Sequence, residues 1–411
     1  MKVIDKHMEA NIMSQNSELR TQNSELRTQN SELRTQNSEL RTQNSELRTQ
    51  NIRSFTGIKV LALFLIFYHH SNMPLLPLGL GSRMCELLFV LSGFLVGYNK
   101  FHKEIEYSWS TGINYVVSKL IIFYPLHILI VFLRCILEYK SFVFTNTWIK
   151  LILSLLLITP WFPNEEVFFC FNGSSWFLCS LLFCYLLSPL FIRLMKSKKE
   201  LIIFIIVFIV RLSIDVIQET DVIFVTLHTH VNPFVRSLEF FMGMLLVPIF
   251  MDCKQKIYHF SKLLRIVIFS FIEISACIIH FYLMYSYLNI WFKTYYVLLF
   301  CMNIFIFAFD EGVFSKILGS KVFKQFNSIQ FEFYLSHTTF LAYCNAIIHK
   351  MNIEIATFGI KFALFVSEFL LLTLICIIYN KLLKPYLSNL MRKFFHLLYS
   401  FFGFKLQNFL M

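Results

Sequence analysis

Charged residues are scarce in this chain of 411 residues: they make up 15% of it, whereas hydrophobic residues make up 56%. A typical soluble protein has about 25% charged and about 45–50% apolar residues. One soluble core could not bury this much apolar side chain, so the composition excludes the soluble globular class. Apolar runs such as 201–210 and 362–378 recur, and several reach the roughly 20 residues that cross a bilayer as a helix. We therefore predict a polytopic integral membrane protein.

Paired metal-ligand spacings are also missing from the sequence. The ten cysteines are scattered, mostly within apolar runs, so we interpret them as small core side chains and predict no metal site. The formal net charge is +12, but no arginine-rich helix or aromatic ribbon accompanies it. We therefore expect no nucleic-acid partner and interpret the charge as a signal of membrane topology. The first 50 residues are polar, so we expect no cleavable signal peptide.

The N-terminal segment is a low-complexity repeat. Residues 16–50 are five copies of Asn-Ser-Glu-Leu-Arg-Thr-Gln, each with a single apolar residue. A coiled-coil seam needs two apolar residues per heptad. We therefore expect residues 1–52 to form a disordered or frayed helical tail; an ordered coiled coil is the alternative.

The repeat also suggests a genetic switch. Seven residues correspond to 21 nucleotides, and the unit AACTCAG read three times in frame encodes this heptad. We hypothesise that slippage in such a tract changes the reading frame and makes expression phase-variable. Sequencing the gene tests the hypothesis, because varied synonymous codons across the copies would contradict it. The alternative is a recent duplication of a 21-nucleotide unit.

The rest of the chain is predicted to be an all-α bundle of about ten transmembrane helices in a domain at 53–385. The stretch 148–159 is apolar but short, and we interpret it as re-entrant or interfacial. The predicted spans are 55–72, 84–99, 115–137, 174–194, 200–217, 232–251, 265–287, 290–309, 329–348 and 357–380.

Basic residues set the predicted orientation. With the N-terminus inside, the inner connections hold 17 Lys and Arg residues and the outer connections hold four. This asymmetry is what the positive-inside rule requires. Counting 148–159 as a full span would place the basic run 193–199 outside. We therefore predict that both termini are cytoplasmic and that residues 386–411 form an amphipathic cytoplasmic tail.

Ionisable groups at membrane depth mark a candidate site, because each costs about 2.5–3.5 kcal/mol on insertion scales. In the first span Lys59 and His70 are 11 residues apart, so they share a helix face and lie about 16 Å apart along the axis. Such a polar stripe suits a route for a charged donor; alternatively, His70 is an ordinary interfacial residue. The other groups at depth or at the rim are His69, Glu86, Ser92, Lys119, Trp176, Arg236, Glu239 and His337.

Two of these features also have ordinary structural explanations. Gly93 and Gly97 form a small-residue face that favours close helix packing. Arg236 and Glu239 lie three residues apart on one helix and could simply neutralise each other. A role of the same pair in the site is the alternative.

Six short patterns occur in order along the hydrophobic part of the chain, from about residue 52 to 385. They are Thr56-Gly57-Ile58-Lys59 with His70 thirteen residues after the Gly; Phe89 to Phe94, with Glu86 before it; Lys119 to Pro125; Trp176 with Tyr185 and Pro189; Arg236, Glu239, Phe240 and Gly243; and Tyr334, Leu335 and His337. Together they resemble acyltransferase family three, bacterial integral membrane proteins that O-acylate surface polysaccharides. The resemblance implies a membrane helix bundle with acyltransferase activity.

The chain departs from the family pattern at several positions: Lys59 stands where the opening pattern has an arginine, and Glu86 where an aspartate is common. Lys119 and Ile122 stand where the family has the two arginines of an Arg-x-x-Arg element that is thought to hold the phosphates of coenzyme A. Lysine is a point charge and cannot make the bidentate phosphate contact of arginine. Leu181 stands where a Glu usually follows the Trp by five residues.

The resemblance also implies the substrates and the location. The donor is an acyl-coenzyme A on the cytoplasmic side, by family default acetyl-CoA, and no metal takes part. The acceptor is a hydroxyl of a surface or lipid-linked glycan such as O-antigen, capsule or exopolysaccharide. The protein then lies among the lipids of the bacterial cytoplasmic (inner) membrane.

Roles follow for the matching residues. A sugar hydroxyl is a poor nucleophile near neutral pH, so a general base is needed, most often His. We assign His70 as that base, or as the group that carries the acyl. Glu239 would orient or charge-stabilise it, and Arg236 would bind the developing oxyanion or the glycan. We further assign Lys59, Lys119 and Tyr124 to donor binding, and Trp176, Arg83, Glu86 and His337 to glycan binding.

Other function classes stay open at this stage. A glycan or lipid-linked oligosaccharide flippase would show matched halves with Gly/Pro-broken helices, but we find no such repeat and only 12 Gly and 9 Pro. A glycan polymerase would work without coenzyme A. A purely structural anchor fits poorly with several ionisable groups at depth.

Overall fold

The computed structural model describes residues 52–71, 79–103, 108–143, 145–219, 229–286, 294–353 and 357–401. These residues contain α-helices and short helical turns and no β-strand, which confirms the all-α prediction. Residues 52–411 cluster as one compact unit. The heptad repeat at 16–50 lies outside the described residues, so the prediction for the tail stays a prediction.

Each of the ten predicted segments coincides with a helix of at least 14 residues. Between the third and fourth of them lies a further, shorter helix, Thr145–Leu155, and a last helix follows the tenth. In chain order the α-helices of more than ten residues are α1 (Ser54–His70), α2 (Gly79–Lys100), α3 (Trp109–Leu137), α4 (Thr145–Leu155), α5 (Ser175–Met195), α6 (Glu200–Glu219), α7 (Pro233–Ile257), α8 (Lys262–Ser286), α9 (Thr294–Phe307), α10 (Gln330–Lys350), α11 (Phe358–Ile378) and α12 (Lys384–Phe401). Three shorter α-helices, Glu165–Phe168, Val313–Leu318 and Lys321–Asn327, lie between them.

Polar side chains fix where several helices begin. Before α7, the Asn232 side chain accepts hydrogen bonds from two backbone N–H groups of the first turn, and Pro233 occupies the first helical position. Ser108 and Thr357 cap α3 and α11 in the same way. These contacts satisfy amide groups that have no partner inside the helix, which explains why the helices start at these polar residues.

Five helical stretches in the described part of the chain are long and apolar enough to cross a membrane. They are Trp109–Leu137, Ser175–Met195, Pro233–Ile257, Lys262–Leu283 and Phe358–Leu397, the last of which runs through α11 and α12. Ser54–His70 and Thr294–Phe307 are apolar but shorter. The chain is therefore a helical membrane protein, and the count of about ten spans stays a prediction.

The helices α2 and α7 approach each other through two glycines. A Cβ atom on Gly93 would overlap the backbone carbonyl of Phe240, and one on Gly243 would overlap the carbonyl of Val90. Gly97, one turn further along α2, lies against Met244 of α7. Backbones can approach this closely only where side chains are absent. The structure thus confirms the packing interpretation of Gly93 and Gly97.

The short helix α4 is attached to α3 by two side chains. The Tyr124 hydroxyl donates to the Leu155 carbonyl at 2.8 Å, and Nε2 of His127 lies 2.9 Å from the Ser154 carbonyl. Eleven helical residues span only about 16 Å, less than the hydrocarbon core of a bilayer. This length agrees with reading 148–159 as a non-crossing segment, although its depth in the membrane stays a prediction.

Candidate functional site

A cavity of about 320 Å³ opens between α1, α2, α3, α5 and α10; we call it the Lys59 cavity. Its polar lining includes Lys59, Lys119, Ser92, Asn99 and Gln330. The two lysines are the only charged side chains among the described residues that line it. The Lys119 Nζ atom also lies 5.3 Å and 5.6 Å from the ring centroids of two tyrosines, Tyr115 and Tyr185. The cavity is therefore suited to an anionic ligand.

A second cavity has a volume of about 450 Å³ and several ionisable side chains in its lining; we call it the His70 cavity. Its polar lining comprises His69, His70, Arg83, Glu86, Ser174, Trp176, His230, Tyr334, His337 and Thr338. The His70 side chain is exposed, and its ring centroid lies 5.0 Å from that of His337. Five residues predicted for catalysis or glycan binding are thus brought together here: His70, Arg83, Glu86, Trp176 and His337.

The imidazole of His337 has a defined hydrogen-bonding pattern. Its Nδ1 atom lies 2.5 Å from the backbone carbonyl of Tyr334 and 3.5 Å from the Ser174 hydroxyl. A carbonyl oxygen can only accept, so Nδ1 carries the proton and Nε2 carries the lone pair. The ring is 2% exposed, and Nε2 has no hydrogen-bond partner among the described residues. His337 can therefore accept a hydrogen bond from a ligand hydroxyl.

Glu86 offers a second acceptor in the same cavity. Its Oε1 atom accepts a hydrogen bond from Arg83 at 3.0 Å and lies 3.7 Å from Arg236 Nη1. Its Oε2 atom has no partner in the described part of the chain. Buried polar atoms normally have hydrogen-bond partners, so Glu86 Oε2 and His337 Nε2 fit a ligand rich in hydroxyl donors.

The helices pass the two cavities in alternating directions. Along α1 the chain runs from Lys59 in one cavity to His70 in the other, and along α10 from Gln330 to His337. Along α2 and α5 the direction is reversed. In the predicted topology α1 and α10 are the first and ninth spans, which run in one direction. The helices α2 and α5 are the second and fourth spans, which run in the opposite direction. The alternation agrees with the predicted order, in which the Lys59 cavity would lie on the inner side.

Tyr334 is the one described residue that lines both cavities. Its side chain is 5% exposed, and its ring packs 4.8 Å from Phe177 and 5.6 Å from His337, measured between centroids. Its hydroxyl lies 3.9 Å from the Cys85 sulfur. The two cavities therefore meet at this side chain.

Arg236 and Glu239 lie beside the cavities rather than in them. Glu239 is fully buried and accepts from Arg236 at 2.5 Å and from Arg211 at 3.3 Å. Arg236 also donates to the His230 carbonyl at 2.7 Å. Neither residue is among the described residues that line the two cavities. The pair neutralises itself as the simpler interpretation expects, and a direct role of either residue stays a prediction.

Two residues of this charge cluster were not singled out in the sequence. Arg211 forms a buried ion pair with Asp215, and Asp215 accepts two hydrogen bonds from Thr294 of α9, at 2.7 Å and 2.6 Å. An Arg and an Asp four residues apart inside the apolar segment 200–217 were the available signal. The cluster holds three arginines and three carboxylates, so its buried charges balance.

Tyr124 lies away from the Lys59 cavity. Its hydroxyl binds the carbonyl at the end of α4, and its ring lines a separate apolar cavity with Trp161 and Phe183. The structure thus groups Lys59 with Lys119 but does not bring Tyr124 to them. Within the described residues no cluster of His, Cys, Asp and Glu could hold a metal ion.

The apolar helices define a membrane protein, and the paired cavities give it one site rich in cations and one rich in imidazoles. Sequence comparison identifies the class. A family model described as an acyltransferase domain (Acyl_transf_3) matches residues 52–381. The chain belongs to this acyltransferase family, which confirms the resemblance and the enzyme class. Neither the curated proteins nor the solved structures gave a match.

Proposed function

We propose that this acyltransferase moves an acetyl group from acetyl-CoA in the Lys59 cavity to a glycan hydroxyl in the His70 cavity. The observation that carries the proposal is the arrangement of α1, which places a lysine in one cavity and a histidine in the other. Phosphates of the donor suit the two lysines. The hydroxyls of a sugar suit the acceptor atoms of Glu86 and His337, and Trp176 lines the same cavity, with its ring packed beside Arg236 and His230.

His70 is the general base in this mechanism. The hydroxyl oxygen attacks the thioester carbon while His70 removes its proton, and the protonated imidazole then returns a proton to the departing thiolate. His70 fits this role because its exposed side chain lines the His70 cavity, and its ring centroid lies 5.0 Å from that of His337. Arg83 and Glu86 line the same cavity and would hold the acceptor.

The acceptor class and the location belong to the same proposal. O-antigen, capsule or exopolysaccharide would be modified at the outer face of the bacterial inner membrane. Slippage in the repeated tract at residues 16–50 would switch this modification on and off. The perfect identity of the five heptads supports that idea, and the codons of the gene test it.

Gene deletion tests the function. We expect NMR of the surface glycan to lose its ester signals in the deletion strain and to regain them with the wild-type gene. His70→Ala should fail to restore them, because loss of a general base costs about 10²–10⁴-fold in rate. His349→Ala is the matched control: this histidine is exposed near the end of α10 and should restore the signals fully.

The flippase alternative gives a different result in the same experiment. Deletion would then remove the glycan from the surface rather than its esters, and purified protein would not consume acetyl-CoA. Full activity of His70→Ala would contradict the assignment of the base. Intact ester signals in the deletion strain would contradict the proposed acetyl transfer itself.

A further inference from the structure

We infer that the Tyr334 hydroxyl stabilises the oxyanion that forms when the acyl group is transferred. The inference rests on the proposed function, because it concerns the point at which donor and acceptor meet. A thioester held in the Lys59 cavity and a hydroxyl held in the His70 cavity can react only where the two spaces adjoin. Tyr334 is the described residue at that place.

The position of the hydroxyl supports this role. Cys85, the neighbour of that hydroxyl, lines the His70 cavity, so the phenol end of the side chain faces the acceptor side. Tyr334 and His337 are three residues apart on α10 and therefore share a helix face. The backbone carbonyl of Tyr334 is itself tied to His337 Nδ1 at 2.5 Å. The ring is packed against Phe177, which holds the Tyr334 hydroxyl in place before the reaction.

The hydroxyl is also free to form a new hydrogen bond. The Cys85 sulfur lies 3.9 Å from it, and thiol sulfur is a weak hydrogen-bond partner. Exchanging that contact for a charged oxygen is favourable, since hydrogen bonds to charged groups are stronger. The guanidinium of Arg236 is already occupied by Glu239 and the His230 carbonyl. Arg236 is therefore a poorer candidate for the oxyanion than Tyr334.

The step balances without another reactant. The acceptor oxygen forms a bond to the thioester carbon, its proton moves to His70, and the carbonyl electrons move onto oxygen. Tyr334 donates a hydrogen bond to that oxygen and keeps its own proton. When the carbonyl re-forms, the carbon–sulfur bond breaks, and the thiolate of coenzyme A receives the proton from His70. The products are an ester and free coenzyme A.

Tyr334→Phe tests the inference, because it keeps the ring and removes the hydroxyl. Purified full-length protein in detergent would be assayed with acetyl-CoA and isolated surface glycan. We expect kcat to fall roughly 10²–10³-fold, as for the loss of one oxyanion donor, with KM for acetyl-CoA little changed. A purely structural role would instead lower the amount of folded protein and leave kcat per folded molecule unchanged.

Tyr379→Phe is the matched control. Tyr379 is also a buried tyrosine, and it is not among the described residues that line either cavity; kcat should stay at the wild-type value. If wild-type protein transfers acetyl and Tyr334→Phe is equally active, the inference is wrong but the function stands. If wild-type protein transfers no acetyl, the proposed function fails. Should Tyr334→Phe not fold, 3-fluorotyrosine at this position preserves the shape and strengthens the donor, and an unchanged kcat would overturn the inference.

Discussion

At the scale of single residues, the positive charge of the Lys59 cavity comes from two lysines. Lys119 occupies the position where the family pattern has an arginine, and the structure places its ammonium group beside two tyrosine rings. The ammonium group is a compact charge, whereas a guanidinium can contact a phosphate through two hydrogen bonds. The residue type at position 119 should therefore control donor affinity more than the chemical step.

We predict opposite effects for two substitutions at this position. Lys119→Gln should raise KM for acetyl-CoA about 10- to 100-fold, because a charge-assisted hydrogen bond contributes about 1.5–3 kcal/mol. Lys119→Arg should lower KM, and kcat should change little in either variant. Steady-state kinetics with purified protein would measure both constants.

A donor without phosphates provides the control. S-acetyl pantetheine contains the thioester but no phosphate, so its KM should be the same in wild type and in both variants. A parallel rise of KM for both donors in Lys119→Gln would mean that the lysine shapes the cavity and does not bind phosphate.

The sequence predicted part of the candidate site, because an ionisable group at membrane depth costs free energy and therefore suggests a function. That argument selected Lys59, His70, Glu86 and His337, and each lines one of the two cavities. It could not select Tyr334 as the meeting point, since a tyrosine in an apolar helix looks ordinary and its position depends on how three helices pack. The Tyr124 hydroxyl is occupied by a helix-end carbonyl, a contact that sequence spacing does not reveal.

At the scale of helices, hydrophobic patterning predicted the segments well and their ends less well. The predicted span 232–251 forms a helix that begins at Pro233 but continues to Ile257. Its last turns are polar, so the apolar segment that predicts the span ends before them. The backbone hydrogen bonds of the helix continue through these polar turns. The sequence predicted close helix packing at Gly93 and Gly97 of α2 but did not identify α7 as the partner helix. Gly243, on the facing helix, completes the contact.

This contact gives a prediction about stability. Gly243→Ala should destabilise the protein by about 1–3 kcal/mol, because the added methyl group would overlap the Val90 carbonyl and a backbone atom cannot move away easily. Thermal unfolding in detergent, followed by tryptophan fluorescence, would measure the change. A substitution in a cavity lining would lower activity more than stability, whereas Gly243→Ala should mainly lower the amount of folded protein.

Gly359→Ala is the control for that measurement. A Cβ atom at Gly359, in the first turn of α11, would meet no atom within 4 Å, so the unfolding temperature should not fall. Equal stability of Gly243→Ala and wild type would contradict the close contact between α2 and α7.

At the scale of the whole molecule, the direction of the chain through the two cavities bears on topology. The positive-inside rule places 193–200 inside and 138–173 outside. The alternating directions of α1, α2, α5 and α10 agree with that arrangement. The five long apolar stretches alone would not decide the topology, because they do not show how many of the remaining helices cross the membrane.

Reporter fusions would test the arrangement. We expect a phosphatase that is active only outside the cytoplasm to be active when fused after Asn164 and inactive when fused after Lys198. A fluorescent protein that folds only in the cytoplasm should give the reverse pattern. The same signal at both positions would mean that an even number of crossings separates them and would contradict the ten-span prediction.

One aromatic ring separates two pockets that approach each other from opposite ends of the bundle. Under the proposed function, this barrier would be a bacterial membrane that stores a proton gradient, and a continuous water channel would discharge it. With Tyr334 between the pockets, an acetyl group would have to travel only the thickness of a side chain to change compartments. Coenzyme A would stay behind, and the barrier would remain tight to ions throughout.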